Sequence, residues 1–129
     1  MVFILIDDDP IANLIHRKII ETTCAEFKTE IVTFQSAAEA LDFIAGCRDC
    51  GRNDRFIILL DINMPGIDGW EFLDRLGCDE QTWKNVFILS SSVAQFDIVR
   101  ANDYASVKGY ITKPLSVPSV IGIMETLMS

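Results

Sequence analysis

The chain has 129 residues, half of them apolar, and a formal net charge of −8. That length suits one domain with a proper core, and the apolar content excludes a disordered chain. The acidic balance speaks against non-specific nucleic-acid binding, which needs Lys and Arg to neutralise phosphates, and fits a plain solubility role.

Residues 2–6, VFILI, are continuously apolar, as in a strand buried on both faces. In the DDDP that follows, Asp9 suits a helix N-cap and Pro10 the first helical position. Ile11, Leu14, Ile15 and Ile19 then recur at helical spacing to about Cys24. EIVTF (30–34) reads as a second strand, and Ser36 with Glu39 forms a capping box for a helix running to about Ala45. Gly46 to Arg55 is polar and reads as a surface loop.

FIILLD (56–61) is the most apolar strand and hence central, and after a Pro/Gly turn GWEFLDRLGC (69–78) gives a third helix. VFILS (86–90) is a fourth strand, followed by a serine-rich loop and a helix from about Ala94 to Tyr104. KGYIT (108–112) is a short fifth strand, and PSVIGIMETLM (118–128) a last helix with Pro118 near its start. Strand and helix alternate five times, which predicts an α/β fold: a doubly wound, five-stranded parallel sheet with helices on both faces. In such sheets the ligand site lies outside the carboxyl ends of the strands, at the switch in strand order.

Asp7, Asp8, Asp61, Ser90 and Lys113 all fall at or just past a strand end. Close carboxylates repel, and each resists ionisation unless a cation sits among them. An oxygen-rich acidic pocket suits Mg²⁺, which keeps several waters and takes one or two carboxylates plus phosphate oxygens. Helix capping accounts for Asp9, but three aspartates in a row exceed what a cap needs, and no helix immediately follows Asp61. Lys113 reads either as a snorkelling surface lysine or as the partner of a carboxylate, or of an anion attached to one. Ser90 brings a hydroxyl to the same edge, although with Ser91 and Ser92 beside it a simple turn also fits.

With DD after the first strand, LLDINMPGIDG around Asp61, Ser90 after the fourth strand and GYITKP at the fifth, the chain resembles the receiver domains of two-component response regulators. The likeness runs over essentially its whole length. It implies a flavodoxin-like (βα)5 fold with strand order 2-1-3-4-5, and one receiver domain of single-domain, chemotaxis-regulator type over residues 1–129. Asp61 would be the phosphoacceptor, attacking a phosphohistidine of a histidine kinase or phosphotransfer protein. Asp8 and Asp61 would bind Mg²⁺ directly, with the backbone carbonyl of Asn63, and Asp7 would act largely through water. Lys113 would hold a phosphoryl oxygen, Ser90 would move to bond another, and Tyr110 would turn inward as the aromatic switch. The Lys113–Pro114 peptide would be cis. The face of helix four, strand five and helix five would then change shape for a downstream protein, and could pair two copies. Such a domain catalyses only its own phosphorylation and dephosphorylation, and is not otherwise an enzyme.

Some features depart from the pattern. Ser90 stands where the family often has threonine, which keeps the hydroxyl, and Ser91 is larger than the alanine often found next to it. The GCRDCGRND loop (46–54) looks longer than the family minimum but lies away from the predicted site. Its Cys47 and Cys50 have C-x-x-C spacing, yet a zinc site wants two further ligands and no second pair exists. His16 reads as a partly exposed helix residue with nothing beside it to tune its pKa.

Other classes fit less well. An EF-hand beginning at Asp61 would place Phe72 at its twelfth position, where a bidentate Glu belongs. A flavodoxin would want glycine and hydroxyls, not three aspartates, after the first strand, and a haloacid-dehalogenase-type phosphatase would want D-x-D where Asn63 stands. The alternative that keeps the fold is a pseudo-receiver, an unphosphorylated interaction module, though that class usually lacks an acid or the lysine retained here.

The longest apolar runs are too short to span a bilayer, and the N-terminal one has no basic flank, so neither a membrane span nor a signal peptide is expected. Cytoplasmic placement with reduced cysteines follows. No output domain is expected within this span: as a whole protein it would act by protein contact, and as part of a longer one it would precede an output domain.

Overall fold

The computed structural model describes residues 1–49, 55–76, 84–91 and 94–128. They form β1 (Val2–Ile6), α1 (Pro10–Thr23), β2 (Glu30–Phe34), α2 (Ala37–Asp49), β3 (Phe56–Leu60), α3 (Gly69–Leu76), β4 (Lys84–Ser90), α4 (Gln95–Ala101), β5 (Val107–Thr112) and α5 (Val117–Met128). The strands pair in parallel in the order β2-β1-β3-β4-β5, as the sequence predicts. In register, Ile6 stands beside both Phe34 and Leu60, and Leu60 beside Ile88. The strands therefore finish nearly flush, and the residues that follow them emerge along one edge.

The period of two along a strand divides the core. Val2, Ile4, Ile6, Phe56, Ile58, Leu60, Val86 and Ile88 pack under α2, α3 and Ala101 of α4. Phe3, Leu5, Ile57, Leu59, Phe87 and Leu89 pack under α1 and α5. Each such side chain contributes about 1.5–3 kcal/mol on burial, so the middle of the sheet is a stiff platform for its edge.

Three expectations are corrected. First, α2 continues to Asp49 instead of stopping at Ala45, because Cys47 extends the buried row of Ala37, Ala40 and Ile44 by another turn. Gly46 sits in that turn on its exposed side, and residues 50–54 of the expected loop, with Cys50, lie outside the described residues, as do Cys78 and the expected end of α3. Second, α4 ends at Ala101 and not near Tyr104, because the next three amides bond carbonyls only three residues back and close tight turns.

Third, α1 turns a different face inward. Ile11, Leu14 and Ile15 are 65%, 67% and 49% exposed, while Asn13, His16 and Ile20 are its buried residues. The start of α1 lies over the open edge of the sheet, where polar groups need partners more than an apolar residue needs cover. Asp9 caps α1 as expected by accepting the Ile11 amide (3.0 Å), and of the expected capping box the Ser36 hydroxyl accepts the Glu39 amide (3.4 Å).

Candidate functional site

Backbone bonds carry the sheet one residue beyond its strands and fix where the site side chains begin. The Asp7 amide donates to the Phe34 carbonyl (3.0 Å), that of Asp61 to Ile6 (2.9 Å) and that of Lys113 to Ser90 (2.9 Å). The turn after Asp61 then folds back tightly. Gly66 supplies a φ of 76°, which other residues rarely adopt. Gly69 lies so near Ile62 that a Cβ would fall 2.5 Å from the Ile62 Cα, and Asp68 caps α3 by accepting the Glu71 amide (2.9 Å).

The two buried aspartates divide their oxygens alike. Asp7 Oδ1 accepts the Asp9 amide (2.9 Å) and Asp61 Oδ1 accepts the Asn63 amide (3.0 Å). Both Oδ2 atoms face the Lys113 ammonium, which lies 3.2 Å from Asp61 and donates a shorter bond to Asp7. Asp8 is exposed at the mouth, and one carboxylate oxygen from each of Asp7, Asp8 and Asp61 lies within 4.8 Å of the other two. Ser90 is fully buried, and its Oγ accepts from the Asn63 side-chain amide at 3.4 Å. Tyr110 stands half-buried on β5, beside Ile88, and packs on the α2–α4 side of the sheet. The Lys113–Pro114 peptide is cis.

Burial raises the pKa of the Asp61 carboxyl above the usual carboxylate range. The Asn63 amide and Lys113 oppose that shift, and the Asp7 charge adds to it. Burial would lower the Lys113 pKa, but its bond to Asp7 and the charges of Asp61 and Asp7 outweigh that and raise it. With all groups ionised, three carboxylates against one ammonium leave an excess of two negative charges. Hard oxygen donors with that excess fit a divalent cation such as Mg²⁺.

The family model described as the response regulator receiver domain matches residues 3–125. This chain belongs to the response regulator receiver domain family. A two-component response regulator from Cytophaga hutchinsonii shares the receiver fold with a TM-score of 0.85 and 34% identity, over 98% of this chain and 96% of that one. The transcriptional regulatory protein HprR of Escherichia coli is 34% identical over 70 residues, which is 54% of this chain and 30% of HprR. The cyclic di-GMP phosphodiesterase response regulator RpfG of Xanthomonas campestris is 31% identical over 112 residues, which is 87% of this chain and 28% of RpfG. The matched region thus spans less than a third of either curated relative.

The receiver edge holds two side chains whose part the sequence did not reveal. The Asn13 amide donates to the carbonyls of Asp7 (3.0 Å) and Phe34 (3.2 Å), tying the ends of β1 and β2 together. His16, expected to be partly exposed with nothing to tune it, is buried and lines a narrow cleft with Asn13, Asp7 and Asp61. Burial lowers its pKa, with Lys113 acting in the same direction and Asp7 and Asp9 opposing. The signal was available in the spacing: Asn13, His16, Ile20 and Cys24 form a single stripe in steps of three and four, which two polar residues disguise.

Proposed function

We propose that residues 1–129 form one receiver domain that accepts a phosphoryl group on Asp61 from a phosphohistidine of a kinase or phosphotransfer protein. The observation that carries this reading is the buried Asp7–Asp61 pair bridged by Lys113 at the open edge of the sheet. An Asp61 oxygen attacks phosphorus, the P–N bond breaks, and the imidazole leaves with the electron pair. Positioning and charge stabilisation make up most of such catalysis. Asp8, Asp61 and the Asn63 carbonyl would hold Mg²⁺, with Asp7 through water, and the ion supplies charge neutralisation on the transferring oxygens. Lys113 exchanges part of its bonding to the carboxylates for a phosphoryl oxygen.

The attached group brings about −1.5 to −2 charge and strong acceptor oxygens. Ser90 leaves Asn63 to donate to it, Tyr110 moves inward, and the α4–β5–α5 face changes for a downstream protein or a second copy. Exposed Phe96 and Val99 on α4 give that face apolar contacts. Ile11, Leu14 and Ile15 stand exposed beside the aspartates, where a donor protein must approach. Among the described residues no helix is long and apolar enough to cross a membrane, and a cytoplasmic location is part of the same proposal.

The test is intact mass after incubation with Mg²⁺ and a small acyl phosphate, for the wild type, Asp61→Asn and Ser90→Ala. One adduct on the wild type that needs both Mg²⁺ and Asp61 is expected. Ser90→Ala should still accept the group while losing its effect on the α4–β5–α5 face. Absence of any adduct on the wild type would sink the proposal in favour of an unphosphorylated interaction module.

A further inference from the structure

Among the described residues α4 is the least embedded helix: of its seven residues only Ala101, the last, is buried. Phe96 and Val99 are 74% and 55% exposed. At its C-terminal end, Arg100 and, three residues past the helix, Tyr104 make aromatic and charged contacts with α3. The Arg100 guanidinium carbon lies 4.4 Å from the centre of the Trp70 ring. The Tyr104 ring stacks against Trp70 with centroids 6.0 Å apart and planes inclined by 24°. The Tyr104 hydroxyl donates to Asp74 Oδ1 at 2.9 Å.

Trp70 is itself firmly placed. It follows Gly69, which lies hard against the Ile62 backbone one residue after Asp61. It also belongs to the core cluster that contains Met64, Ile67, Tyr104 and Tyr110. The tryptophan thus joins the loop that carries Asp61 to the helix that begins five residues after Ser90.

We propose that Trp70, Asp74, Arg100 and Tyr104 form a clasp that anchors the C-terminal end of α4 to α3 and sets how readily the switch face moves. The anchoring stands on geometry alone, while its part in switching rests on the phosphoacceptor reading. With its last turn pinned, α4 pivots: displacement of Ser90 is taken up at Gln95 and Phe96, and Arg100 and Tyr104 act as the hinge. Because only Ala101 of α4 is fully buried, weakening one contact of the clasp loosens the helix measurably. A domain with a loosened clasp reaches the switched arrangement more easily, and so accepts phosphoryl from a small donor faster.

Two variants of the whole chain and one conservative control test this without disturbing the core. Tyr104→Phe keeps the ring and loses the bond to Asp74, and Arg100→Gln removes the cation, whereas Arg100→Lys keeps one over the ring. In hydrogen exchange read by mass spectrometry, Tyr104→Phe and Arg100→Gln should speed exchange of residues 95–101 by about two- to fivefold, with α1 and α5 unchanged and Arg100→Lys nearer to wild type. The initial rate of adduct formation should rise by a similar factor. Unchanged exchange in α4 overturns the clasp, and faster exchange with an unchanged phosphorylation rate overturns its part in switching. If no protein, the wild type included, forms an adduct, the phosphoacceptor reading falls, and the exchange data alone decide whether the clasp anchors α4.

Discussion

Asp61→Asn should make the metal-free protein more stable at neutral pH. Asp61 is 6% exposed, burial raises its pKa, and the Asp7 charge works the same way. Its surroundings therefore disfavour the ionised form. Asparagine keeps an oxygen to accept the Asn63 amide, now made by Oδ1 at 3.0 Å, and leaves Lys113 paired with Asp7. What is lost is one longer charged contact, to Lys113 at 3.2 Å. Replacing a whole buried ion pair by apolar residues is often neutral or stabilising by about 1–4 kcal/mol. Removing one partner is costly where it strands the other charge, which does not happen here because Lys113 keeps Asp7. Because the contact to Lys113 is forfeited, the lower end of about 1–2 kcal/mol is expected, or roughly 3–6 °C in Tm for a domain of this size.

Two further dependences make the prediction hard to satisfy by accident. A carboxyl whose folded pKa lies above its unfolded one weakens the fold at pH above the folded value. That penalty fades as pH falls through the folded value, and is gone below the unfolded one. The advantage of Asp61→Asn should therefore shrink on acidification. Mg²⁺ at about a hundred times its Kd should stabilise the wild type by about 2.7 kcal/mol and the variant by less, which reverses their order. Thermal unfolding followed by circular dichroism, in chelator and in Mg²⁺ at stepped pH, reads all of this. A variant less stable than wild type in chelator at pH 7, or a gap that ignores pH, would refute the account of Asp61 as a carboxylate ionised at a cost.

Lys113→Met leaves two buried carboxylates facing each other. It should cost about 2–3 kcal/mol by chemical denaturation, discounted because the lysine side chain is 21% exposed, and a loss near zero would mean that the bridge contributes nothing. Gly69→Ala sets a Cβ 2.5 Å from the Ile62 Cα, so it should cost about 1–3 kcal/mol in thermal unfolding and slow adduct formation by shifting the Asp61 loop. Asn13→Ala removes the donors to the carbonyls of Asp7 and Phe34 and should cost about 1–3 kcal/mol, with faster amide exchange at the ends of β1 and β2.

The strands and the residues gathered at their edge were legible because each rests on a local signal, while the order of the strands came from the resemblance to receiver domains. Continuous apolar runs such as FIILL mark strands buried on both faces, and charged residues directly after several such runs must emerge together once the sheet is parallel. Asn13 and His16 escaped because burial of a polar side chain depends on what lies opposite it. The Phe34 carbonyl that Asn13 satisfies is 21 residues away, and no window along α1 contains it. Helix ends failed for a related reason. Gly46 and the polar residues after it read as a loop, yet the buried side of Cys47 outweighs the roughly 1 kcal/mol that a helical glycine costs. The Trp70–Tyr104 and Trp70–Arg100 contacts join residues thirty or more positions apart in sequence, and only the folded chain brings them together.

On the phosphoacceptor proposal, the contrast between α3 and α4 is what would let one phosphoryl group matter. In α3, five of eight residues are buried, Trp70, Phe72, Leu73 and Leu76 among them, and at about 1.5–3 kcal/mol for each large side chain that helix is beyond the reach of a single modification. In α4 one alanine is buried, and the clasp adds a cation over a ring and a hydrogen bond, each worth about 0.5–1.5 kcal/mol. The proposed charge-assisted bond from Ser90 to a phosphoryl oxygen would be worth about 1.5–3 kcal/mol, the same order as those two contacts. A switch that must tip needs its two states within a few kcal/mol of each other. If Asp61 accepts the group as proposed, the strands and α3 would hold it in place because catalysis tolerates little misplacement, while the lightly held α4 would keep the response within the range of the group that triggers it.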